Sequence, residues 1–185
     1  PPVALSYWTQ YARTLACGAN TRGDAVRVMP SRDELLACLR VQRWADEMAA
    51  LEFDSMLEME RAAVSIATPL TEAEIDEALA AHPRIGEKAA GKGAEAAFSA
   101  SEQAASADAD QVLAAHLADL NAQYEQRFGR VFLIRAAGRS RAEIVAELER
   151  RLSNPPQAEL AEIADQLRGI ALLRLRATFG ERLES

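Results

Sequence analysis

The chain has 185 residues, a net charge of −7 and 49% hydrophobic residues, with aromatics at only 5%. That length suits one domain with a sizeable core, and an acidic chain of pI near 5.0 lacks the basic face that binding along a nucleic-acid backbone requires. No run of ~18 apolar residues is present to span a membrane. Cys17 and Cys38, the only cysteines, form neither a CxxC motif nor a Cys/His cluster, so no zinc site or disulfide framework is expected, and a reducing, cytoplasmic setting is.

Residues 1–30 read as an N-terminal extension of unassigned role, with a short helix possible from Leu5 to Ala16 and punctuation at Gly18, Gly23 and Pro30. Residues 31–185 read as the helical domain. Ser31 and Glu34 form a capping box. Leu35, Cys38, Val41, Ala45 and Met48 then recur at steps of three and four, as on one helix face, with Trp44 flanking them as packing. A second helix is expected over Asp54–Ala67. Thr71 and Glu74 cap a third, which runs to about Ala81 with Ile75 and Leu79 on its buried face. Residues 86–98, rich in glycine, alanine and lysine, read as a mobile loop without the spacing of a phosphate loop. Ser99 and Glu102 cap a short helix. A longer one starts at Asp108 or Asp110, with a stripe of Leu113, Leu117, Leu120, Tyr124 and Phe128. His116 lies ~80° off that stripe and reads as a surface residue.

Gly129 ends that helix. Val131-Phe132-Leu133-Ile134 is strand-like but has no sheet to join, which predicts an extended segment or a helix start buried in the core. Gly138 breaks it, Ser140 and Glu143 cap the next helix, and Asn154-Pro155-Pro156 makes the turn into the last one. With no internal repeat and no convincing sheet, the fold class is all-α, a single-domain helical bundle.

Two features carry chemistry. His82 follows a helix and precedes Pro83, which biases it toward an extended backbone. The pattern places a stiffly held, loop-borne imidazole off the core-facing stripe and titrating near neutrality, suited to acid or base work. A plain helix stop explains the same residues. On the last helix Leu160, Ile163, Leu167 and Ile170 are followed in phase by Arg174, which points a guanidinium inward. Buried, it needs an anionic partner or a ligand; the alternatives are a core carboxylate or a side chain that snorkels out.

The order of these elements resembles the 2-oxo-4-hydroxy-4-carboxy-5-ureidoimidazoline (OHCU) decarboxylase family. The resemblance covers roughly residues 31 to 180. It rests on His82-Pro83 with Gly86, Ser99-x-x-Glu102-Gln103, Asn121-x-x-Tyr124 and Arg127-Phe128-Gly129 leading into Phe132-Leu133-Ile134. Gly138-Arg139-Ser140, Arg151-Leu152 before Asn154, Glu159, and Ile170 with Arg174-Leu175 complete it. The chain departs from the family at Leu51-Glu52, where Arg-Pro is frequent before the aromatic, and at Arg84, where the family favours an acidic or other polar residue. The resemblance implies an all-helical homodimer without metal or organic cofactor, acting on a small anionic substrate. It implies that His82 and Glu102 are catalytic and that Arg174 binds substrate. Pro83, Ser99 and Gln103, and the backbone from Phe132 through Ile134 to Ala136, would line the site. Glu102 has a second reading as the mere completion of the Ser99 cap.

The implied reaction is loss of carbon dioxide from OHCU to give S-allantoin, the last step from urate to allantoin. The alternatives are a non-catalytic helical interaction module, a DNA-binding regulator using the arginines between 168 and 182, and the same fold acting on a related ureido acid.

Overall fold

The computed structural model describes residues 27–85 and 111–184, with side chains from 113 onward in the second stretch. The expected helix over Leu5–Ala16, the loop at 86–98 and the helix after Ser99 lie outside the described residues. Within them the order is α1 (Arg32–Cys38), α2 (Gln42–Ala49), α3 (Met56–Ile66), α4 (Glu72–Leu79), α5 (Gln111–Phe128), α6 (Arg141–Leu152) and α7 (Pro156–Leu183). Among the described residues the only β pairing is an isolated bridge between Val28 and Phe53. The all-α expectation holds.

Helix starts follow the side chains that satisfy first-turn N–H groups. Ser31, Thr71 and Ser140 each accept from the backbone N–H three residues on, while Glu34, Glu74 and Glu143 reach back, closing three reciprocal boxes. Ser55 caps α3 with its hydroxyl, and Pro156 opens α7, where a missing N–H costs nothing. Gly129 and Gly138 sit at φ 69° and 78°, a region that side chains rarely adopt, and they bracket the segment between α5 and α6.

The stripe from Leu35 to Met48 does not lie on one helix. Leu39 and Val41 are extended, at φ −143° and −132°, and break the chain into α1 and α2. All five stripe residues are nonetheless buried. The three-residue break, 39–41, happens to keep apolar residues inward, so the apolar periodicity runs on across it.

Two apolar cores result. The larger unites α1–α4 with α7 around Trp44, whose indole N–H donates to the Ala63 carbonyl at 3.0 Å. The smaller gathers Ile85, α5 and α6. Between them runs the strand-like segment. Leu133 is buried in the larger core with Val131 against it, while Phe132, Ile134 and Ala136 belong to the smaller. Side chains that alternate between two sides mark an extended chain, the first of the two expectations for this stretch. No helix among the described residues is long and apolar enough to cross a membrane.

Candidate active site

The His82 loop leaves α4 directly. Ala80 caps the helix, and the backbone N–H of His82 donates to Leu79 O at 2.9 Å, turning the chain outward ahead of Pro83. The loop is fastened to α5 at two points one turn apart. Asn121 Nδ2 donates to Ile85 O at 3.2 Å, and Arg84 pairs with both carboxylate oxygens of Glu125. Arg84 is thereby engaged with α5.

His82 is held as stiffly as the sequence suggests, but it is buried, at 8% exposure. Its Nδ1 lies 2.9 Å from Ala78 O. A carbonyl oxygen only accepts, so Nδ1 carries the proton and donates, which leaves Nε2 a bare lone pair. That Nε2 is buried and meets no hydrogen-bond partner among the described residues. The expectation of near-neutral titration is corrected: the pKa is pushed down to about 4, first by burial and then by the positive charge of Arg174, against which the Ala78 bond acts weakly. At neutral pH the imidazole is uncharged and can only accept at Nε2.

Arg174 is inward, as its phase on α7 indicates, at 3% exposure. Its Nη1 stands 3.5 Å from Cys38 O at the end of α1. Its charge bears both on His82 and on the Cys38 thiol, although burial dominates there and pushes that thiol up to about 11. Cys38 is therefore packing, with its Sγ against the Thr178 hydroxyl, rather than a nucleophile. The fold thus joins the end of α4, the end of α1 and the middle of α7 at one buried place that combines a neutral lone pair with a fixed positive charge.

Of the remaining expected site residues, Pro83 is half-buried beside His82, and Phe132, Ile134 and Ala136 are buried on the segment between the cores. Ser99, Glu102 and Gln103 lie outside the described residues. His116 is a surface residue, as expected, with Nε2 2.8 Å from a Glu149 oxygen. Among the described residues no group of three His, Cys, Asp or Glu is placed to hold a metal ion. A cavity of about 570 Å³ opens beside α5 over Leu117, Asn121 and Arg141; His82 and Arg174 do not line it.

Sequence reasoning gave no role to a buried charged cluster next to the site. Arg151 and Glu159 are 0% and 1% exposed. Arg151 Nε donates to Glu159 Oε1 at 2.8 Å, and its Nη1 to Leu133 O at 2.7 Å. Glu159 also accepts from the Tyr124 hydroxyl and, at 2.8 Å, from Asn154 Nδ2. Burial, followed by the Glu159 carboxylate, drives the Tyr124 phenol pKa up. The signal was present: Arg151 stands seven residues after Ile144, and Glu159 four before Ile163, both in phase with buried stripes.

The sequence profile of the OHCU decarboxylase family matches residues 29–176. The chain belongs to the OHCU decarboxylase family. The mouse 2-oxo-4-hydroxy-4-carboxy-5-ureidoimidazoline decarboxylase is 35% identical over 111 residues, covering 58% of this chain and 61% of the mouse protein. A uric acid degradation bifunctional protein of Arabidopsis thaliana is also 35% identical, over 57% of this chain and 34% of its own length. These curated relatives are thus matched over less than two thirds of their length. A crystal structure of OHCU decarboxylase in the presence of (S)-allantoin superposes with a TM-score of 0.70 at 29% identity, over 80% of this chain and 98% of that one. The bundle built here from capping boxes and two cores is therefore the OHCU decarboxylase fold.

Proposed function

We propose that this protein decarboxylates 2-oxo-4-hydroxy-4-carboxy-5-ureidoimidazoline to S-allantoin and carbon dioxide, without a metal or organic cofactor, as the last step from urate to allantoin. The observation that carries the reading is the pairing of a buried, neutral His82, its Nε2 without a partner among the described residues, with the charge of Arg174. A non-catalytic interaction module has no use for an orphaned acceptor in its interior, which costs about 1–3 kcal/mol.

The substrate is a five-membered ring with a carboxylate, a hydroxyl and a ureido group. As carbon dioxide leaves, the electron pair of the broken C–C bond passes into the carbonyl and imine-like system of the ring. The substrate thus contains its own electron sink, and the protein has to orient it and place charge around it. Arg174 holds an anionic oxygen of the substrate, for which its planar fork is suited. His82 accepts the ring hydroxyl proton at Nε2, its lone pair without a partner among the described residues. Once carbon dioxide has left, a proton is returned to the ring carbon that carries the electron pair, which forms the C–H bond of allantoin as the hydroxyl becomes a carbonyl. As the substrate's negative charge settles against Arg174, it offsets the repulsion that holds the His82 pKa down, so His82 becomes a stronger base when substrate is bound. Glu102, expected here on the family resemblance, holds the ureido nitrogens, since Nδ1 of His82 is already engaged by Ala78 O and Nε2 is turned to the substrate. Pro83 packs on the ring, Ser99 and Gln103 complete the wall, and the backbone from Phe132 to Ala136 closes the other side. We further expect a cytoplasmic homodimer, which light scattering on the purified chain checks.

The test generates the unstable substrate in place, by oxidising urate with uricase and hydrolysing the first product, then follows absorbance and circular dichroism after the protein is added. Accelerated decay with one hand of allantoin is expected. His82→Ala should lose at least ~100-fold in rate while its far-ultraviolet spectrum stays native. Decay at the spontaneous rate with racemic allantoin would overturn the reading.

A further inference from the structure

We propose that Arg151 and Gln166 are positioning residues that set the backbone between Phe132 and Ala136 for substrate, an inference that rests on the decarboxylase reading above. The segment has neither a helix nor a ladder to hold it, and its side chains alternate between the two cores. In an extended chain, consecutive backbone N–H and C=O groups face opposite edges. The odd-numbered edge is held by side chains. Leu133 O accepts from Arg151 on α6 at 2.7 Å, and the Arg135 N–H donates to Gln166 Oε1 on α7 at 2.8 Å. On the even-numbered edge, the N–H groups of Phe132, Ile134 and Ala136 meet no acceptor among the described residues; only the Ala136 carbonyl is engaged, by the Arg139 N–H. Buried donors are rarely left this way, and one place where they are is where a ligand completes them.

The anchor is rigid because it is anchored itself. Glu159 fixes two nitrogens of Arg151, leaving Nη1 aimed at Leu133, and the guanidinium also lies 4.7 Å from the centre of the Phe132 ring. A fully buried ion pair is an expensive way to stabilise a fold, and apolar residues of equal size often do as well. An apolar pair cannot supply a fixed donor to the Leu133 carbonyl. Gln166 performs the complementary task from a half-buried position on α7, so the segment is pinned between two helices.

The test measures KM and kcat separately in the coupled assay for the wild type, Arg151→Lys, Gln166→Met and Gln166→Glu. Lysine keeps charge but not the fork, and methionine removes the acceptor. Both should raise KM about tenfold or more with a native far-ultraviolet spectrum, as misplaced binding groups do. Glutamate keeps an oxygen for the Arg135 N–H and should restore KM to within about threefold of wild type. If Arg151→Lys does not fold, the Gln166 pair decides alone. An active wild type whose folded variants keep its KM and kcat overturns this inference only. A wild type that leaves the substrate at its spontaneous rate overturns the decarboxylase reading, and this inference with it.

Discussion

The chemistry of His82 comes from three neighbours rather than from histidine itself. Burial penalises the cation and Arg174 repels it, and these two hold the pKa down to about 4, while Ala78 O claims Nδ1 and pulls slightly the other way. The consequence for stability has a definite sign. Between pH 4 and the ordinary value of ~6.5 the unfolded chain binds a proton here that the folded chain does not, so stability rises with pH across that window. It is fully present above ~6.5 and is lost as pH falls through to about 4. Urea midpoints at pH 7 and pH 5 should therefore fall further apart in the wild type than in His82→Leu. Equal drops in both would refute the assignment. Removing the neighbouring charge isolates its part: Arg174→Met should raise the His82 pKa, read by NMR titration of the imidazole, because burial is then the one remaining influence that lowers it. Both residues were legible in the sequence for physical reasons, one from the proline after it and one from its phase on α7. The low pKa was not, because it depends first on burial, which only the tertiary packing creates, and then on Arg174, 92 residues further along the chain.

At the level of elements, local chemistry was the most readable. The boxes at Ser31, Thr71 and Ser140 set their helix starts, because a hydroxyl and a carboxylate at fixed spacing satisfy N–H groups that nothing else reaches. The break between α1 and α2 escaped, since no glycine or proline marks it and the apolar phase continues across it. For the strand-like segment the local pattern leaves an extended chain and a helix start equally open, because what satisfies its backbone comes from Arg151 and Gln166 on other elements. The glycines that bracket it make a clean test. Gly129 has φ 69°, and no neighbouring atom lies within 4 Å of the point where an alanine methyl would stand, so Gly129→Ala is opposed by backbone strain alone. It should cost about 1–2 kcal/mol in denaturant unfolding. A neutral result would mean that the turn relaxes.

In the molecule as a whole, α7 runs ~42 Å and connects the cores: its apolar face lies in the larger, and Glu159 and Glu162 reach α6 through Arg151 and Arg150. Among the described residues the smaller core has fewer buried members, and the strand-like segment contributes side chains to both cores. Native-state hydrogen exchange should accordingly find α5 and α6 opening at lower free energy than the middle of α7. Uniform protection would show instead that the two cores unfold as one unit. The orphaned Nε2 of His82 has a consequence for anyone who improves this protein without assaying it. An interior lone pair that meets no partner among the described residues is a standing debit in the empty protein. A campaign that selects variants for heat resistance alone will drift toward apolar residues at position 82 and return robust, inert proteins. Keeping a ligand present during selection would protect the histidine, since its cost is then offset by binding.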